Sequence, residues 1–133
     1  MFESWFSKKQ KPLTGAPNVR RMKTYSAQSG YVYQYFYEGH RPYLAGEESG
    51  TQFVFSLSAD RKTWRPLEVT LPDGALVAWQ TAHGRGLSST ECYAVAKLAL
   101  FQALDERPAP GDMKHPVRVR PADVEAITET LGL

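Results

Sequence analysis

The run YVYQYFYE at residues 31–38 constrains this chain more than any other segment. Its β-forming residues alternate with a period of two, so Tyr31, Tyr33, Tyr35 and Tyr37 share one face of a strand while Val32, Gln34, Phe36 and Glu38 take the other. A helix would scatter the four phenols around its circumference. The preceding MKTYSAQ pairs with this strand through a tight turn at Ser29-Gly30. The following HRPYLAGEESG reads as the end of the strand and a glycine-rich connection.

Residues 51–58 form the next strand, with Phe53, Phe55 and Leu57 facing one way and Gln52, Val54 and Ser56 the other. A polar turn at Asp60-Arg61-Lys62-Thr63 leads into a fourth strand over residues 65–71. Two readings compete at residues 73–83. Pro72-Asp73-Gly74 suits a hairpin returning as a strand, whereas Asp73 as an N-cap, alanines at 75, 78 and 82, and Gly84 at the end suit a short helix, which is preferred. Ser88-x-x-Glu91 then has capping-box spacing and opens a helix over residues 89–106 that stops before Pro108. Its apolar arc holds Cys92, Tyr93, Ala96, Ala99, Leu100, Ala103 and Leu104, with Leu98 and Phe101 on the opposite side.

A proline- and glycine-rich loop follows, then a strand over residues 117–120 in which valine and arginine alternate. Pro121 starts a terminal helix at the position where its missing amide costs nothing, and Gly132 closes it. The order ββββααβα predicts an α+β fold, an antiparallel four- to five-stranded meander sheet packed against two or three helices.

Charge divides the chain unevenly. Residues 1–23 carry six basic side chains against Glu3, leaving ten basic and thirteen acidic in the remainder, so the pI near 8.7 says little about the folded part. Residues 1–21 are expected to be a flexible basic leader, and residues 22–133 a single domain. The 133 residues suit one domain rather than two. No apolar stretch approaches the roughly 18 residues of a membrane span, no signal-peptide pattern opens the chain, and Cys92 has no partner cysteine, so a cytoplasmic protein is expected.

The tyrosine row is the strongest candidate for contact with something outside the chain. Phenols about 6.8 Å apart make a flat aromatic strip with hydrogen-bonding tips, and Arg41 follows closely. Tyr31, Tyr33, Tyr35, Tyr37 and Arg41 are therefore the expected ligand or partner surface, although tyrosines on a half-covered sheet more often pack beneath a helix. Leu98 and Phe101 are the expected oligomer face. These features point to a non-catalytic binding or assembly module that self-associates or meets another protein.

Two alternatives use other residues. Single-stranded nucleic acid would stack on the tyrosine strip and be held by the leader, where Phe2, Trp5 and Phe6 precede Lys8, Lys9 and Lys11. A small enzyme would draw on His83, Arg85 and Glu91 at the interhelical turn. No metal site or cofactor is expected, because His40, His83 and His115 match no ligand spacing, and Cys92 sits on an arc expected to be buried.

Overall fold

A computed structural model describes residues 11–133. The elements are β1 (Lys23–Ser26), β2 (Val32–Ala45), β3 (Glu48–Ser58), β4 (Arg65–Pro72), α1 (Asp73–His83), α2 (Ser89–Glu106), a 3₁₀ turn (Pro110–Lys114), β5 (Val117–Arg118) and α3 (Pro121–Leu131). The five strands lie side by side in chain order. The first three pairings are antiparallel and β5 joins β4 in parallel, giving the expected α+β architecture. No helix among the described residues is long and apolar enough to cross a membrane.

Local chemistry explains most boundaries. Asp73 begins α1 after an extended Pro72, and the left-handed Gly84 caps its end, which decides the ambiguity at residues 73–83 in favour of helix. In α2 the Ser88 hydroxyl accepts the Glu91 amide while the Glu91 carboxylate accepts the Ser88 amide, so two otherwise orphaned donors are satisfied. Pro121 opens α3, and Asp123 accepts the Arg120 amide at 2.9 Å.

The core lies between one sheet face and the helices. Tyr33, Tyr35, Phe55, Leu67 and Val69 meet Val95, Ala96, Leu100 and Leu104 of α2 and Val124 and Ile127 of α3. Alanines 96, 99 and 103 allow α2 to approach closely. Trp79 of α1 is buried and donates its indole N–H to the Thr128 hydroxyl at 2.9 Å, joining α1 to α3.

Two expectations need correction. HRPYLA does not end the second strand, because β2 runs on to Ala45 and turns tightly into β3 through Gly46 and Glu47. Pro42 is accommodated because its nitrogen points away from β3: the neighbouring even position, His40, turns its amide towards Thr14. Residues 117–120 supply only a two-residue strand: Val119 still gives its amide to Thr70, but Arg120 is already the N-cap of α3 and Pro121 its first residue.

The second strand also contains a bulge. Tyr37 pairs with Phe55 but Gly39 pairs with Val54, leaving Glu38 as the extra residue. From there the alternation is reversed. His40, opposite Phe53, joins the helix-side face, and Arg41, opposite Gln52, passes to the far face. Gly39 adopts φ +118°, and a Cβ there would stand 2.6 Å from the Thr14 carbonyl oxygen. Thr14 exchanges two backbone hydrogen bonds with His40, at 2.9 and 2.8 Å. Residues assigned to the leader thus touch the sheet. Farther along, the Arg20 guanidinium lies 3.7 Å above the Phe36 ring and pairs with Glu38.

Candidate functional site

The bulge puts His40 at the mouth of a groove of about 590 Å³ between the β2–β3 hairpin and the first turns of α2. Rings of Tyr37, Phe53 and Tyr93 and the side chain of Leu87 give it apolar walls. Thr51, Ser89, Thr90 and Cys92 add hydroxyls and a thiol, and Gly15 and Pro17 close one rim. Gly15 is required there, because a Cβ on it would meet the His40 ring at 2.6 Å.

The polar groups form a short chain. The Tyr37 hydroxyl lies 3.2 Å from His40 Nδ1, and the Thr14 hydroxyl lies 3.5 Å from Nε2. The Tyr37 ring packs on Tyr93, with centroids 4.7 Å apart, and on Phe55 at 5.3 Å. Burial, reinforced by the neighbouring Tyr93 phenol, pushes the Tyr37 hydroxyl up to about 12, so it remains a neutral hydrogen-bonding group in the physiological range. Burial, followed by the nearby Glu91 charge, also raises the Cys92 thiol. A thiol held protonated is a poor nucleophile.

The tyrosine row itself is divided among different surroundings. Tyr31 precedes β2 and is exposed, its ring 6.4 Å from that of Tyr33. Tyr33 and Tyr35 are buried beneath the helices, and burial carries the Tyr35 phenol up to about 12. Tyr37 alone of the four lines the groove. Arg41 lies across the sheet, bonded to Glu68 at 2.5 Å and to Gln52 at 3.1 Å. The four phenols and Arg41 therefore do not form one continuous surface.

Leu98 and Phe101 are half-buried against the core. Phe101 stacks on Tyr25, with centroids 4.1 Å apart and planes 5° from parallel, and meets Tyr35 edge-on at 5.8 Å. At the interhelical turn Arg85 pairs with Glu91 at 3.1 Å. His83 stacks on Trp79 and meets the Glu125 carboxylate at 2.8 Å, while the Arg85 guanidinium lies 5.2 Å from the same Trp79 ring, so His83 is paired with Glu125 rather than with Glu91. Among the described residues no group of three or more His, Cys, Asp or Glu side chains is placed to hold a metal. Phe2, Trp5, Phe6, Lys8 and Lys9 lie outside the described residues.

His40 was legible in the sequence only as a histidine beside a strand. The available signal was Gly39, since a glycine inside a β-rich run marks a bulge, and a bulge redirects the side chains beyond it. Comparison with family models, with curated proteins and with solved structures returns no match.

Proposed function

We propose that this protein is a non-catalytic binding module whose groove between β2–β3 and α2 takes a small molecule with an aromatic or apolar body and a hydrogen-bonding end. The groove carries the proposal. Its volume of about 590 Å³ falls within the roughly 300–1,000 Å³ of ordinary ligand sites. Apolar walls supply most of the contact, while the Tyr37–His40 pair and the hydroxyls of Thr51, Ser89 and Thr90 orient the bound molecule.

Binding is favoured over catalysis by the chemistry of the groups present. The raised thiol and phenols are poorly suited to acid, base or nucleophile work near neutral pH. Nucleic acid is less favoured because Tyr33 and Tyr35 are buried and Arg20 and Arg41 are already paired with carboxylates. Self-association through Leu98 and Phe101 is not part of the proposal, since Phe101 is engaged with Tyr25 and Tyr35. A reducing, cytosolic setting suits the single half-buried thiol.

Titration of the full chain with 2-naphthol, followed by amide NMR, tests the assignment. The expected result is saturable shifts concentrated at His40, Thr51, Thr90 and Tyr93. Absence of shifts at millimolar probe, or shifts confined to another surface, contradicts it.

A further inference from the structure

We propose that residues 14–20 form a strap that docks as one unit across the edge of β2, and that a ligand in the groove clamps it, so that binding and docking strengthen each other. The coupling rests on the reading of the groove as a ligand site, whereas the docking of the strap as one unit does not.

Two pins hold the strap, one on each face of the sheet. On the groove side, Thr14 gives its amide to the His40 carbonyl at 2.9 Å and accepts the His40 amide at 2.8 Å, an isolated bridge beside the strand. Gly15 and Pro17 then border the groove. Gly15 has φ +79°, and it lies so close to the His40 ring that a Cβ would stand 2.6 Å from Cε1. By Arg20 the chain has crossed to the far face, where the guanidinium lies 3.7 Å above the Phe36 ring and pairs with Glu38. The Ser56 hydroxyl, 2.5 Å away, fixes Glu38 in turn. The hydrogen bond from Arg20 holds the Glu38 carboxyl below the usual carboxylate range, so this pin stays charged near neutral pH.

One bulge supplies both pins. Glu38, the inserted residue, takes Arg20, and His40, two positions on, takes Thr14. Every residue of the strap is exposed, and none belongs to the core between sheet and helices. Segments with few buried contacts and exposed backbone hydrogen bonds open far more readily than a core. With so little else to hold it, releasing one pin loosens the other. The strap is also one rim of the groove. A ligand that touches Gly15, Pro17 and His40 together binds the docked strap better than the released one, and by linkage it stabilises docking by the same factor.

Amide exchange in the full chain, followed by NMR at Thr14 and His40, tests both parts. Arg20→Ala removes only the pin on the far face. It is expected to speed exchange at both amides at least about threefold, the scale of one exposed ion pair with its cation–π contact. In wild type, 2-naphthol at ten times its Kd is expected to slow the same two amides at least about threefold, towards the limit of about elevenfold for a ligand that binds only the docked form. Exchange at Thr14 and His40 that ignores Arg20→Ala shows that the pins act independently and overturns the strap as a unit. Saturated shifts at Thr51 and Tyr93 without slower exchange at Thr14 and His40 overturn the coupling alone. Absence of those shifts rejects the groove itself, and the coupling with it.

Discussion

Tyr37 and Arg41 stand four residues apart in one strand yet project from opposite faces of the sheet, Tyr37 towards Tyr93 and Arg41 towards Glu68. Strict alternation would place them together. Glu38 is the extra residue that separates them, and Gly39 provides the left-handed backbone that completes the bulge.

Gly39→Ala should therefore destabilise the protein by about 1–3 kcal/mol, the scale of forcing a side chain into such backbone. The new methyl would also press on the Thr14 carbonyl. Urea unfolding measures the loss. Faster hydrogen exchange at the Thr14 and His40 amides should accompany it, because their paired bonds must open to make room.

Element types were largely legible because short-range chemistry sets them. The Ser88–Glu91 box, Pro121 and the glycines at 84 and 132 each mark a helix end through contacts within a few residues. The site was less legible. Whether Tyr33 is covered depends on α2, some seventy residues later in the chain, and the position of His40 depends on one inserted residue and on Thr14 pairing from the other side. Val95, absent from the expected apolar arc, is fully buried, and α2 packs against α3 as well as against the sheet, a tertiary contact that periodicity alone does not reveal.

Phe101→Ala should cost about 2–4 kcal/mol, somewhat below a fully buried phenylalanine, through loss of the Tyr25 stack and the Tyr35 edge contact. Thermal unfolding at several protein concentrations checks the origin of the effect. A drop in Tm that is independent of concentration identifies packing within one chain; a drop that vanishes on dilution points to an oligomer contact.

Glu68→Ala should destabilise by about 1–3 kcal/mol, because it strands the nearly buried Arg41 guanidinium. Replacing both residues with methionine should recover much of that loss, since the desolvated charge goes with its partner. Chemical denaturation of Arg41→Met, Glu68→Met and the double methionine variant forms the necessary cycle.

Stability should fall at both ends of the pH scale. Tyr35 and Tyr37 ionise in the folded protein only near 12, above their ordinary value of 10.0, so their contribution is complete below about 10 and is lost as pH rises towards 12. Asp60 is lowered from 3.8 to about 2 by the Thr63 and Lys62 amides, so its contribution is complete above about 4 and is lost as pH falls towards 2. Tyrosinate absorbance recorded with circular dichroism should show the buried phenols ionising together with alkaline unfolding in wild type. In Tyr35→Phe the alkaline midpoint should move upward.

Thr90→Trp provides the most direct measurement of the groove. Thr90 is exposed on the first turn of α2 and borders the cavity, so an indole there fills the space without disturbing the core. Its Kd for 2-naphthol, compared with that of wild type at matched Tm, should rise at least about tenfold, or 1.4 kcal/mol. Equal affinity in the two proteins would show that the probe binds elsewhere and contradict the groove as the ligand site.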